Sequence, residues 1–178
     1  MKALRMLAVA ALAAGCQAGM AGNPQASALN VELGVSYLEQ GRAELARDKL
    51  IRATRQDPRS GNAHRMLALA YESLGNNPAA ERHYRQAVRV APRDIEALNS
   101  LGVFLCRRAG QAREGLAFLR RAAGEASPKR RAAVYANSGV CEFASDAASA
   151  AEWFRRALEL DPGQTAARAL LEQLETQN

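Results

Sequence analysis

The chain of 178 residues repeats one pattern of large and small apolar residues every 34 positions. Leu33-Gly34 aligns with Leu67-Ala68 and with Leu101-Gly102. Self-similarity at a period of this length is typical of supersecondary units that stack on one another, so it constrains the fold more than any other feature. Later positions keep the same offset, pairing Tyr37 with Tyr71 and Leu105, Ala46 with Ala80, Leu50 with Tyr84, Ala53 with Ala87, and Pro58 with Pro92.

Composition favours helices as the repeated unit. Hydrophobic residues make up 48% of the chain, but aromatic residues only 5%, so alanine and leucine carry most of the apolar content. Such residues favour closely packed helices, whereas a β-sandwich uses β-branched and aromatic side chains. The unit is therefore predicted to be a pair of helices.

Each matched position has a physical role in a helical hairpin. Glycine ends the first helix of a pair, at Gly41 and Gly75, and proline disfavours a helical residue before it, which ends the second helix. The ends of second helices are predicted at Asp57-Pro58, Ala91-Pro92 and Asp161-Pro162. Small residues are predicted where paired helices touch, at Gly34, Ala68, Gly102, Gly139, Ala46 and Ala80.

This pattern resembles the tetratricopeptide repeat. The resemblance implies an all-α, right-handed superhelix of about four helix-turn-helix repeats with a C-terminal capping helix. The tetratricopeptide domain is predicted over 29–178, with repeats at about 29–60, 61–94, 95–129 and 131–162, and a capping helix at 164–176.

The N-terminus resembles an export signal. Residues 1–15 combine a basic start with a short apolar stretch, and Gly15-Cys16 resembles the lipobox of bacterial lipoproteins, although Ala13 stands where a larger aliphatic residue is usual. The resemblance implies lipidation of Cys16, a flexible tether over 16–28, and sorting to the periplasmic face of the outer membrane, because Gln17 is not Asp. The alternative is ordinary signal cleavage near Ala14 or Ala21.

The first helices of such repeats line a concave groove, which is predicted to bind a protein partner. Its central position is apolar in every repeat, which suggests a site for an amphipathic helix or an extended apolar peptide. The alternative is that some of these valines pack against neighbouring helices. The predicted groove residues are Val31, Val35, Leu38, Arg65, Leu69, Asn99, Val103, Arg107 and Val140.

Cys106 and Cys141 lie on the first helices of adjacent repeats. Paired helices bring nearest Cα atoms to about 4.4–6.8 Å, the range a disulfide spans. An oxidising periplasm would close such a pair. The alternative is two independent buried thiols.

Two segments resemble a known family more specifically. The sequence from Asn99 to Cys106 (NSLGVFLC) and from Ala136 to Cys141 (ANSGVC) resembles paired motifs of the type IV pilus biogenesis lipoproteins, which include secretin pilotins. The resemblance implies an outer-membrane scaffold that binds a secretin subunit, or an apolar segment of it, and assists its localisation and multimerisation. Members often have about six repeats, and this chain has fewer. A general periplasmic adaptor is the alternative function.

Other function classes have little support in the sequence. The net charge of +6 is interleaved with acidic residues and lacks aromatic-basic alternation, so no nucleic-acid partner is predicted. No nucleophile elbow, phosphate loop or metal-ligand spacing occurs, so the chain is predicted not to be an enzyme and to have no catalytic residues, metal, cofactor or small-molecule substrate.

Overall fold

The computed structural model describes residues 22–176. Within that range the chain forms nine α-helices and no strand. The helices are α1 (Pro24–Glu39), α2 (Ala43–Gln56), α3 (Gly61–Ser73), α4 (Asn77–Val90), α5 (Ile95–Cys106), α6 (Ala112–Glu125), α7 (Pro128–Glu142), α8 (Ala147–Leu160) and α9 (Thr165–Thr176).

The first eight helices form four antiparallel pairs that stack in sequence order. Each odd-numbered helix packs on the even-numbered helix that follows it, and each pair packs on the next. The ninth helix packs on α8 and closes the stack. This confirms the predicted all-α architecture of helix pairs with a final helix.

Local sequence explains where the helices begin and end. Gly41, Gly75 and Gly110 follow the first helix of their pairs with φ of 70°, 72° and 75°, a left-handed conformation that other residues adopt at a cost. Short polar side chains cap the starts of five helices by accepting a backbone N–H bond, namely Asn23, Ser60, Asn76, Asp94 and Asp146.

Paired helices approach so closely that no side chain fits between them at the contact. A Cβ atom added at Gly34 would lie 2.5 Å from Leu50 Cγ, and one at Gly139 would lie 2.5 Å from Phe154 Cε1. Both partner side chains are fully buried. The packing therefore agrees with the predicted role of small residues in the hairpins, because each glycine leaves space that a large side chain of the paired helix fills.

The two ends of the stack differ in burial. Leu67 is 1% exposed because the first repeat covers it, whereas the matching Leu33, in the first of the described repeats, is 38% exposed. At the other end, α9 buries Ala167 and Leu174 against the Phe154 cluster of α8. The final helix thus covers apolar surface that the last repeat would otherwise expose.

The N-terminal boundary differs from the sequence-based prediction. The tether was predicted over 16–28, but α1 already begins at Pro24. Asn23 N donates to Gln56 O at 2.7 Å, Ser27 Oγ donates to Ala53 O at 3.0 Å, and Asn30 Nδ2 donates to Gln56 Oε1 at 2.9 Å. These hydrogen bonds fasten the start of α1 to the end of α2, so residues 24–28 belong to the folded domain.

The predicted signal at 1–15 and the predicted lipidation site Cys16 lie outside the described residues. Among the helices that the structure does describe, none combines the length and apolar character needed to cross a bilayer.

Candidate peptide-binding groove

The predicted groove is most clearly formed where α3, α5 and α7 lie side by side. Leu69, Asn99, Val103 and Arg107 line a cavity of about 220 Å³. Val103, Arg107 and Val140 line an adjoining cavity of about 110 Å³. The structure therefore brings together five of the nine predicted groove residues.

Three apolar side chains are available to a partner along this surface. Leu69 is 38% exposed, Val140 is 57% exposed, and Val103 is half-buried and packs against the core beneath it. They lie on three successive first helices, so they form a row across the repeats. Covering such a row with an apolar segment would remove its surface from water, at about 25 cal/mol per Å².

A polar network of Arg107, Glu72 and Tyr84 lies beside the apolar row. Arg107 Nη1 and Glu72 Oε1 form an ion pair at 2.9 Å, and Tyr84 Oη donates to Glu72 Oε2 at 2.8 Å. Burial and the neighbouring Glu72 carboxylate raise the pKa of the Tyr84 phenol well above its usual value, so it remains a donor. Glu72 therefore links Arg107, at the surface of the groove, to the buried Tyr84.

A second polar contact joins neighbouring repeats. Asn137 Nδ2 donates to Asn99 Oδ1 at 2.8 Å, linking α7 to α5. Asn137 was not among the predicted groove residues. The sequence did contain a signal, because each of the two related segments that end at Cys106 and Cys141 has an asparagine near its start, Asn99 and Asn137. The link orients amide groups at the edge of the groove.

One predicted groove residue is wrong. Val31 is only 7% exposed and belongs to the core of the first two repeats, with Leu50 and Met66. An apolar side chain at this position turns into the core, while the matching Arg65 extends along the surface and donates from Nη2 to Asn62 Oδ1 at 2.9 Å.

The remaining predicted residues of the first repeat, Val35 and Leu38, are half-buried and pack against the same core as Val31. Neither they nor Arg65 line the two cavities of the groove. The well-formed part of the groove is therefore shorter than predicted and lies over the second to fourth repeats.

The cysteine pair lies beside the groove. Cys106 and Cys141 are joined by a disulfide with a Cα–Cα distance of 5.2 Å, and both line the cavity that contains Val140. A Cβ added at Gly115 would lie 2.6 Å from Cys106 Sγ, so the glycine lets α6 approach the bonded pair. The bond ties α5 to α7 across adjacent repeats.

Stacked helix pairs with a concave, partly apolar groove define a helical-repeat scaffold. The chain belongs to the tetratricopeptide-repeat family, since the family's model matches residues 31–95 and 65–129.

The predicted resemblance to type IV pilus biogenesis proteins is confirmed by relatives. The chain is 29% identical over 144 residues to the type IV pilus assembly protein PilF of Pseudomonas aeruginosa, covering 80% of this chain and 57% of that protein. It is 35% identical over 81 residues to an uncharacterised protein of Haemophilus influenzae, covering 46% of this chain and 45% of that one. The chain thus spans about half the length of these relatives.

Solved structures have the same fold. The structure of Pseudomonas aeruginosa PilF superposes with a TM-score of 0.79 at 27% identity, covering 86% of this chain and 69% of that chain. PilW, described as a widely conserved type IV pilus biogenesis factor, superposes with a TM-score of 0.78 at 24% identity, covering 86% and 70%. The PilW likeness bears on the fold alone.

Proposed function

We propose that this protein is a scaffold of type IV pilus biogenesis whose groove binds an apolar segment of a secretin subunit. In this role it assists the secretin to reach the outer membrane and to multimerise there. The similarity to PilF supports the pilus system, and the paired cysteine motifs, which resemble those of pilotin lipoproteins, support the secretin as partner. A lipid on Cys16 would hold the scaffold at the periplasmic face of that membrane.

The observation that carries the proposal is the row formed by Leu69, Val103 and Val140 beside fixed polar groups. Apolar side chains of a partner segment can cover the row, while Arg107 and Asn137 offer donors to its backbone carbonyls. The ion pair and the amide link hold these donors in place before the partner arrives, which lowers the entropic cost of binding.

The chemistry of the groove suits binding and not catalysis. Its charged residues, Arg107 and Glu72, neutralise each other. The two histidines of the chain, His64 and His83, contact each other and line neither groove cavity. We therefore assign the protein a scaffold role without a catalytic step.

The test is a crosslinked pull-down from native envelopes with the tagged full chain, followed by mass spectrometry. Leu69→Asp and Val140→Asp place a charge in the row at exposed positions, so the fold should persist while secretin recovery falls at least tenfold. Leu160→Asp is the matched control, because Leu160 on α8 is 38% exposed, like Leu69, and lies outside both groove cavities.

Undiminished secretin recovery with both groove variants would move the binding site elsewhere. Recovery of other envelope proteins without a secretin would instead favour a general periplasmic adaptor. Circular dichroism of each variant separates loss of binding from loss of fold.

The anchor has its own test. Each buried CH₂ of an acyl chain contributes about 0.8 kcal/mol to membrane binding, so Cys16→Ser should move the protein from the membrane fraction to the soluble fraction. Retention of the variant in membranes would refute lipidation at Cys16 without affecting the groove.

A further inference from the structure

A larger cavity lies outside the groove, among α6, α7 and α8. Its volume is about 400 Å³. On α7 it uses Arg131 and Tyr135, which lie on a different face of the helix from the groove residues Asn137 and Val140. The residues that line this cleft include Arg120, Gly124, Arg131, Tyr135, Trp153 and Arg156.

Three guanidinium groups give the cleft a positive charge. Arg131 Nε donates to Ala123 O at 2.9 Å and its Nη2 to Ala126 O at 3.0 Å, so neutral carbonyls fix it and no carboxylate among residues 22–176 pairs with it. Arg120 has no ion-pair partner among residues 22–176. Only Arg156 is paired, through Nε to Glu152 Oε1 at 2.8 Å.

An aromatic wall faces these charges. The rings of Tyr135 and Trp153 lie 5.3 Å apart, and the guanidinium of Arg156 lies 5.4 Å from the indole centre. Trp153 Nε1 donates to Glu142 Oε2 at 2.7 Å, which fixes the orientation of the indole. The cleft therefore combines a rigid apolar surface with cationic donors.

The cleft is open at Gly124 on α6. A Cβ atom added there would have no heavy atom within 4 Å outside its own neighbours. A larger side chain at this position would therefore enter open space without displacing the backbone, which provides a way to obstruct the cleft and leave the fold intact.

We propose that this cleft binds a partner peptide at a carboxylate that lies next to an aromatic or aliphatic side chain. Guanidinium groups bind carboxylates through charge-assisted hydrogen bonds. Arg120 has no carboxylate partner among residues 22–176, and the Ala123 and Ala126 carbonyls do not use Nη1 of Arg131. The Tyr135 and Trp153 rings would cover the adjacent apolar side chain. A volume of about 400 Å³ is far larger than a simple anion requires, which favours a peptide over an inorganic ion.

Trp153 makes the site easy to test, because it is the only tryptophan of the chain. The emission of the full chain is measured while the peptide acetyl-Gly-Leu-Phe-Glu, with a free C-terminal carboxylate, is added. We expect a saturable change in emission. The peptide acetyl-Gly-Leu-Phe-Gln-amide, which lacks both carboxylates, should bind at least tenfold more weakly.

Two substitutions at one position separate obstruction from local helix effects. Gly124→Phe should abolish the response by filling the cleft, whereas Gly124→Ala adds one methyl group and should keep it. Arg120→Gln removes an unpaired charge and should weaken binding about tenfold. Circular dichroism should show the same helix content in all three variants.

Equal binding of the neutral peptide, or an unchanged response in Gly124→Phe, would overturn the proposal. The same emission change with inorganic phosphate, or with vesicles of phosphatidylglycerol, at comparable concentrations would also overturn it, by identifying a phosphate site. None of these outcomes depends on the groove variants, so this proposal and the secretin proposal succeed or fail separately.

Discussion

The two halves of the superhelix share one repeat plan but are joined internally by different chemistry. In the N-terminal half, α1–α4, the rings of His64, His83 and Tyr71 stack within the second helix pair, and His64 also contacts Pro58 in the loop that leads from the first pair. In the C-terminal half, α5–α8, the disulfide of Cys106 and Cys141 joins the two pairs covalently. The contact between the histidines depends on the protonation state of their rings, whereas the disulfide depends on the redox state of the thiols.

The contact between the two histidines tolerates one added proton but not two, because one Nδ1 must donate and the other must accept. His64 Nε2 lies 3.1 Å from the carbonyl oxygen of Pro58, which can only accept, so this nitrogen carries the hydrogen. His64 Nδ1 is then an acceptor, and His83 Nδ1, at 3.2 Å, must donate to it. When both rings are protonated, two N–H groups face each other at this contact and break it.

The surroundings of the pair oppose protonation as well. Burial lowers the pKa of His83 to about 4, with further contributions from His64 and Arg82. Burial and Arg89 also lower the pKa of His64, against the opposing effects of the Pro58 carbonyl and Asp57. Two regions built from the same repeat can therefore depend on different conditions, the N-terminal half on pH and the C-terminal half on the presence of reductant.

The largest expected effect is on the C-terminal half. Replacing Cys106 and Cys141 by alanine opens a loop of 35 residues, which should lower the free energy of unfolding by about 4 kcal/mol without reductant. Urea unfolding of the chain carrying Cys16→Ser, with and without the double substitution, measures the difference. The two proteins should converge in dithiothreitol. If the double substitution lowers the free energy of unfolding equally in reductant, its effect comes from lost packing of the two side chains and not from the disulfide.

The next effect is on the N-terminal half and depends on pH. Both histidines have pKa values below the usual 6.5 in the folded protein, so the unfolded chain binds their protons first. Their contribution to stability is complete above pH 6.5 and is lost as the pH falls from 6.5 towards the folded-state value of about 4 for His83.

We expect the free energy of unfolding to fall by about 1–2 kcal/mol over this range. The loss is limited because the rings are only partly buried and keep part of their hydration. His83→Phe keeps the ring stack but removes one titrating group, so its stability should change less over the same range. Equal pH dependence in wild type and variant, measured by urea unfolding, would show that other groups are responsible.

The smallest effect concerns the connection between the halves. Arg85 on α4 pairs with Glu114 on α6 at 2.7 Å and with Glu81 at 2.9 Å, and these side chains are partly exposed. Arg85→Met should therefore cost less than about 1 kcal/mol. The cost should disappear in 1 M NaCl, where exposed charges are screened. A large cost that persists at high salt would mean that packing of the Arg85 stem matters more.

The fold could be predicted well from the sequence because residues of the same type recur at the same structural position in several repeats. Gly34, Gly102 and Gly139 recur with their large partners, so the helix pairs and their contact points follow from the pattern. The prediction failed at Val31, where the matched residues differ in polarity. The matching Arg65 extends along the surface, while valine turns into the core, and alignment alone cannot distinguish these outcomes.

The groove was predicted only in part for a related reason. Leu69, Val103 and Val140 follow from the spacing, but the contact of Tyr84 with Glu72 depends on a hydroxyl group at a position that usually only fills the core. The arginine cleft was not predicted at all. Its residues lie on three helices, and the third and fourth repeats depart from the regular spacing, so no periodic signal connects Arg120 with Trp153.

The fastening of α1 to α2 has a mechanical consequence. A force applied to the chain on the N-terminal side of Gly22 is transmitted to the described fold through that residue. The hydrogen bonds from Asn23, Ser27 and Asn30 to the end of α2 then bear the load first, before the contact between Gly34 and Leu50 further along the helix. A force applied there therefore acts on α1 before it reaches α3, α5 and α7.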